Sequence, residues 1–221
     1  MGRCGPAPPV PALSLSAATT GPLTGPGLAV FDFDGTLVQG DSLLPFVERV
    51  VGRTRARLSL VRALRSAFTL RARGRLTEMD TRTMAKAILL RETLAGIPAA
   101  EARAAADRLV GWVRWKAPIR DALLEHKRAG RHILVATGAL GLYMPRLLAD
   151  LPVDGLLATD VEEVDGVLTG QMPRGNCVRA VKATRFAAYL EEHGPFGPTW
   201  GYGNRPSDLP MLALVDHATV V

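Results

Sequence analysis

Asp32 and Asp34 stand two residues apart, after the apolar run Leu28-Ala29-Val30-Phe31 and before Gly35-Thr36. A short apolar run ending at a glycine reads as a buried strand, and side chains two apart on an extended chain look to the same side. Both carboxylates therefore address one site, at the carboxyl end of a strand, where an open α/β sheet places its ligand crevice. Two carboxylates so close repel, and without a cation one takes up a proton. With Mg²⁺ the pair becomes productive: one carboxylate ligates the metal and can still attack, while the other works as acid and base. Gly35 and Thr36 put backbone N–H groups where a phosphoryl oxygen can be held. The same Asp-x-Asp spacing occurs in metal-dependent sugar transferases and in ordinary turns, so the pair alone leaves those alternatives open.

Three further features follow in chain order. Thr137 closes a second apolar strand with a hydroxyl followed by Gly138, and Lys182 lies on a helix after a Gly-Asn-Cys turn. Gly203-Asn204-Arg205-Pro206-Ser207-Asp208 then follows another strand. A hydroxyl, an ammonium and an oxygen-rich loop are the parts needed to grip and neutralise a phosphoryl group.

The elements that must position these residues are legible in outline. Strands are expected at 28–31, 132–136, 153–159, 200–202 and 218–221, with helices at 117–127, about 140–149, 178–192 and 208–214 and a small hairpin turned at Asp165-Gly166. Strand and helix alternate from 118 onward, which argues a doubly wound parallel sheet. Between Asp41 and Trp115 the pattern is helical, with breaks at Gly74, Gly96-Pro98 and Gly111, and three or four helices fit there. Asp41-Ser42 reads as the N-cap of the first of them.

Taken together, Phe31-Asp32-Phe33-Asp34-Gly35-Thr36-Leu37, Ile133-Leu134-Val135-Ala136-Thr137-Gly138, the Asp165–Gly170 hairpin with Asn176-Cys177 and Lys182, and Tyr202-Gly203-Asn204 through Asp208-Leu209-Pro210-Met211-Leu212 resemble the haloacid dehalogenase superfamily of phosphohydrolases. Within it they resemble subfamily IB, the phosphoserine phosphatase-like group, and the resemblance covers residues 28–221. It implies a Rossmann-like doubly wound α/β core at 27–40 and 117–221 and an inserted helical cap of the C1 type at 41–116. It further implies that Asp32 is the nucleophile forming an aspartyl-phosphate and that Asp34 is the acid and base. Thr137 would hydrogen-bond the phosphoryl group with help from Gly35, Thr36, Gly138 and Ser207, and Lys182 would neutralise Asp32 and the phosphate. Mg²⁺ would be held by Asp32, the Asp34 backbone carbonyl and the loop carrying Asn204 and Asp208. Asp41 also matches a substrate-contacting position of the group.

One departure matters: the first position of that loop is usually an acid in the family and here is Asn204. An amide oxygen still coordinates Mg²⁺, but the lost charge predicts weaker metal binding unless Asp208 compensates. The spacing places the insertion, since 105 positions separate Asp32 from Thr137 and only 45 separate Thr137 from Lys182. The expected activity is Mg²⁺-dependent hydrolysis of a small phosphorylated metabolite or lysophospholipid in the cytoplasm. A phosphotransferase, or a non-catalytic protein bound to anionic membranes, are the alternatives.

Composition narrows the partners. The 221 residues carry 27 Lys+Arg against 21 Asp+Glu. Eight arginines (53, 55, 57, 62, 65, 71, 73 and 75) fall between Arg53 and Arg75, a stretch without Asp, Glu or Lys. The remainder holds 19 positive and 21 negative charges, so the basic character belongs to that stretch. It reads as the solvated side of a cap helix whose Leu58, Val61, Leu64 and Phe68 face inward. Peripheral contact of Arg53–Arg75 with an anionic membrane is a second reading, and nucleic acid is disfavoured for want of aromatics and of any recognised motif. Arg179 and Arg185 are expected to be solvated, and the four histidines show no ligand spacing.

Residues 1–26 contain six of the 16 prolines and a single charge, Arg3, and read as a disordered tail. They lack the basic flank and apolar core of a signal peptide, and Pro6 stands where a myristoylation signal needs Ser or Thr. Cys4 and Cys177 are too far apart and too few for a disulfide framework, and no apolar run reaches the roughly 18 residues of a membrane span. The chain stops at Val221 on its last expected strand, where members of the family commonly continue, so it reads as cut short.

Overall fold

A computed structural model of the protein describes residues 25–75, 81–204 and 206–221. Nearly all of the proline-rich tail and Arg205 lie outside the described residues.

Five parallel strands form one sheet: β1 (Leu28–Phe31), β2 (His132–Leu140), β3 (Gly155–Thr159), β6 (Thr199–Gly203) and β7 (His217–Val220), in the spatial order β3-β2-β1-β6-β7. Strand order reverses at β1, which therefore sits centrally, with β2 on one side and β6 on the other. The alternation of side chains divides the core in two. Ala29, Phe31, Ile133 and Val135 pack on one face with Leu123 of α5 (Ala117–Arg128), whereas Leu28, Val30, Leu134 and Ala136 pack on the other. There they meet Phe186 of α7 (Arg179–His193) and Met211 and Leu212 of the short α8 (Leu209–Leu212). This is the expected Rossmann-like doubly wound architecture.

Between β1 and α5 the chain inserts α1 (Leu43–Val51), α2 (Arg53–Ala72), α3 (Thr81–Leu94), α4 (Ala99–Asp107) and a 3₁₀ turn at Val110–Trp112. The two connections to the insertion run side by side: Gln39 N–H donates to the Arg114 carbonyl and Lys116 N–H to the Leu37 carbonyl, both at 2.8 Å. The hairpin of β4 (Glu163–Val164) and β5 (Val167–Leu168) leans on the insertion, where Ala99 N–H donates to Gly166 and Leu168 N–H to Ile97.

Three local expectations are corrected. β2 does not stop at Ala136 but continues to Leu140 through a register shift, so Thr137 and Gly138 lie within an irregular strand end. The helix expected over 140–149 is reduced to α6 (Met144–Leu147), because that longer strand takes up its first turn. Most tellingly, α2 turns the opposite way from the expectation. Ala56, Ser59, Ala63 and Ala67 are its buried residues, while Leu58, Val61, Leu64 and Phe68 are 58, 54, 37 and 59% exposed. Small side chains let α2 lie close against α3, and the bulky ones are left outside.

Candidate active site

The carboxyl ends of β1, β2 and β6 and the N-terminus of α7 meet helices α1 and α3 around a cavity of about 550 Å³. Its walls include Asp32, Asp34, Gly35, Asp41, Gly138, Lys182, Asn204 and Ser207, eight of the residues singled out from the sequence. Thr36, Thr137 and Asp208 are buried immediately behind it. The Thr137 oxygen accepts the Ala139 N–H at 3.0 Å.

Asp32 is held from two sides. Thr36 Oγ1 donates to its Oδ2 at 2.8 Å and Lys182 Nζ to its Oδ1 at 2.8 Å. Lys182 also donates to Asp208 Oδ1 at 2.5 Å, and the other oxygen of Asp208 accepts the Asn204 N–H at 2.9 Å. Lys182 is only 1% exposed. Burial opposes its charge, but Asp32 and Asp208 outweigh that and hold its pKa above the ordinary lysine value. The triad is a buried ion pair extended to two carboxylates, rigid because each charge has an opposite neighbour.

Asp34 is in a different state. Ser42 donates to both of its oxygens, through N–H to Oδ1 and through Oγ to Oδ2, each at 3.0 Å, and Tyr143 OH lies 2.8 Å from Ser42 Oγ. Burial, with the charges of Asp41 and Asp32 adding to it, pushes the Asp34 carboxyl up to about 7 against the pull of Ser42. Such a group holds a proton and releases it near neutrality, as an acid and base must. Asp41 Oδ1 accepts the Leu43 N–H at 2.9 Å and also lines the cavity, so it caps α1 and borders the site at once, while Ser42 serves Asp34 and caps nothing with its side chain.

Gly35 has φ +79° and comes so close to the last loop that a Cβ there would lie 2.3 Å from Asn204 Nδ2. Only glycine allows that approach. Asn204 Nδ2 donates to the Asp34 carbonyl at 3.0 Å, which brings the loop to the backbone oxygen expected to ligate a metal.

A sequence model of haloacid dehalogenase-like hydrolases matches residues 29–213. The chain belongs to the haloacid dehalogenase-like hydrolase family. Phosphoserine phosphatase SerB2 of Mycobacterium tuberculosis is 28% identical to it over 186 residues, which are 84% of this chain and 41% of that protein; the chain thus spans about two fifths of that relative. Among solved structures, a protein of unknown function from Bordetella pertussis Tohama I is 24% identical, with a TM-score of 0.73 over 89% of this chain and 90% of that one. A probable phosphoserine phosphatase from Vibrio cholerae is 17% identical, with a TM-score of 0.60 over 89% of this chain and 56% of that one. These structural likenesses bear on the fold.

In this haloacid dehalogenase-like hydrolase the insertion adds residues that sequence reasoning missed. Lys86 of α3 reaches across the cavity to donate to the Gly138 carbonyl, to Asn176 Oδ1 at 2.8 Å and to Thr159 Oγ1 at 3.3 Å. Asn176 Nδ2 in turn donates to Thr83 Oγ1 at 3.2 Å. Among the described residues no carboxylate pairs with Lys86, and burial pulls its pKa down to about 8. Lys116 donates to the Gly35 carbonyl at 2.6 Å. A signal for these existed: only four of the 27 basic residues are lysines, and three of those, Lys86, Lys116 and Lys182, converge on the site. Ser42 and Tyr143 gave no such signal.

Arg179 is exposed, as expected, whereas the expectation that Arg185 is solvated is corrected. Arg185 Nη1 donates to the Ala158 carbonyl at 2.6 Å and lies 3.4 Å from Asp160, because its helix packs against β3. Arg179 lines the cavity with its backbone at φ +51°, where its N–H reaches the Ser207 carbonyl at 3.0 Å.

Proposed function

We propose that this hydrolase is a Mg²⁺-dependent phosphomonoesterase. The observation that carries the reading is the contrast between neighbouring carboxylates: Asp32 is fixed by Lys182 and Thr36 at 2.8 Å each, while Asp34 is poised near neutrality by burial.

An Asp32 carboxylate oxygen attacks phosphorus, the bond from phosphorus to the ester oxygen breaks, and the departing oxygen takes the proton of Asp34. Water then attacks the phosphorus of the aspartyl-phosphate, Asp34 accepts its proton, and inorganic phosphate leaves with Asp32 restored. Lys182 holds Asp32 in place and faces the phosphoryl oxygens, where charge is best stabilised by groups already in place. The Gly138 backbone N–H, with Thr137 and Ser207 around it, completes the phosphoryl cradle; the expectation that the Gly35 and Thr36 amides take part is corrected, since they donate to the Val38 and Phe33 carbonyls at 3.0 and 3.2 Å in the turn that follows β1.

The donor set suits a hard cation: two carboxylates, Asp32 and Asp208, with the Asp34 carbonyl and the Asn204 amide drawn together at a glycine that leaves no room for a side chain. When bound, Mg²⁺ supplies positive charge for the phosphoryl oxygens. Asn204→Asp should lower the Mg²⁺ concentration needed for half-maximal activity, and an unchanged requirement would take Asn204 out of the metal's reach.

The cavity fits a small phosphorylated metabolite or the headgroup of a lysophospholipid, and the reaction belongs in the cytoplasm, where such metabolites are pooled. Among the described residues no helix is long and apolar enough to cross a membrane. The helical insertion, residues 41–116, serves as the cap that closes the site and selects substrate. The test is hydrolysis of an aryl phosphate with and without Mg²⁺. Activity should require the metal and fall by at least about 10³-fold in Asp32→Asn; a variant that keeps its rate would remove the nucleophile from the scheme.

A further inference from the structure

Among the described residues of the insertion, α2 is the helix whose outward face contradicts its surroundings. It runs 20 residues, about 30 Å, and contains no acidic residue. At about 100° per residue, Leu58, Val61, Leu64 and Phe68 fall within an arc of roughly 120°, opposite the small buried residues Ala56, Ser59, Ala63 and Ala67. Arg57 and Arg65 sit within that arc, Arg55 and Arg62 on one shoulder, and Arg53 and Arg71 on the other.

Few of these guanidinium groups are neutralised. Glu48 receives Arg57 at 2.7 Å and Arg53 at 3.9 Å, and Glu92 receives Arg62 at 3.6 Å. Arg65, Arg73 and Arg75 have no ion pair among the described residues. A contiguous exposed apolar stripe marks a contact surface, and the flanking cations say what kind.

We propose that this face docks the protein on the surface of an anionic lipid membrane, with the four apolar side chains at the acyl boundary and the arginines on headgroup phosphates. That partner uses both features at once. A second copy of the same face would set arginine against arginine, and a nucleic acid would take the cations and leave the apolar stripe in water. Long arginine stems reach outward past a shallowly inserted stripe, which is the usual arrangement of an interfacial helix.

The proposal is independent of the phosphatase chemistry and is tested on the full chain by co-sedimentation with vesicles. The protein should partition onto mixed phosphatidylglycerol and phosphatidylcholine vesicles at least about tenfold better than onto phosphatidylcholine alone, and lose most of that when salt is raised. Val61→Asp with Phe68→Asp should reduce partition about tenfold or more. Arg65→Ser should cost roughly fivefold on anionic vesicles and little on neutral ones. Circular dichroism verifies the fold of each variant, and an unchanged aryl phosphate rate leaves the site intact. Absence of vesicle binding by the parent chain, or equal binding by the apolar variant, overturns the proposal. So does a dimer of the parent that Val61→Asp with Phe68→Asp dissociates without any lipid binding, since the face then belongs to a second copy.

Discussion

The two walls of the cavity hold their charges in opposite ways. On the sheet side, Lys182 lies between Asp32 and Asp208, and each charge is answered by another at 2.8 Å or less. On the insertion side, Lys86 donates to a carbonyl, an amide and a hydroxyl, all neutral. A charge compensated by fixed opposite charges has little freedom to respond to a ligand, and it suits chemistry that needs its groups in place beforehand. A buried ammonium hydrogen-bonded only to neutral dipoles, with Asp41 and Asp34 favouring its charge without pairing with it, still has room for an anionic part of a substrate, which gains more there than it would in water. Under the proposed function, the sheet wall would serve the reaction and the insertion wall the recognition of what carries the phosphate.

The comparison is most severely tested at Lys182. Lys182→Met leaves two buried carboxylates facing each other without a cation, so kcat should fall by about 10²–10³-fold and stability by about 3–5 kcal/mol, read by steady-state kinetics and by denaturant unfolding. Mg²⁺ should restore part of that stability, because it answers the same carboxylates. Lys86→Met should raise KM for an anionic substrate about tenfold and leave kcat nearly unchanged. Its charge is lost above about 8, so in the parent KM should climb in that range and in the variant it should not. If both variants reduce kcat alike, the walls are not divided as described.

Much of the sheet wall was readable from the chain because its residues close strands. Asp32, Asp34 and Asn204 each follow an apolar run, and an open α/β sheet delivers such ends to one crevice whatever the intervening sequence. The insertion wall was not readable for the complementary reason. Lys86 acquires its meaning from Gly138, Thr159 and Asn176, partners that helix periodicity cannot supply. Ser42 looked like a cap because Ser before an apolar run usually is one, and its bond to Asp34 depends on how α1 meets β1. In α2 the set 58, 61, 64 and 68 repeats with the same helical period as the set 56, 59, 63 and 67. Period shows that two faces exist, and bulk points to the wrong one. What decides is the close approach of α3, which only Ala and Ser permit.

A smaller effect separates the cavity from the rest of the fold in acid. His126 is 4% exposed on α5, with Arg131 Nη1 donating to its Nδ1 at 2.8 Å and its Nε2 2.9 Å from Tyr202 OH. A guanidinium always donates, so Nδ1 must be bare, and the ring is the neutral tautomer with its proton on Nε2. Burial, together with the Arg131 charge, lowers its pKa from 6.5 to about 4. The unfolded chain therefore binds this proton first. The contribution is complete above pH 6.5, is lost as pH falls from there to about 4, and changes no further below, with a slope of at most about 1.4 kcal/mol per pH unit. Denaturant unfolding of the parent and of His126→Gln should show the steeper acid loss in the parent alone. Equal slopes would instead assign the acid sensitivity to the carboxylates of the sheet wall, and any fall in activity over that range would have to be read as chemistry at Asp32 and Asp34.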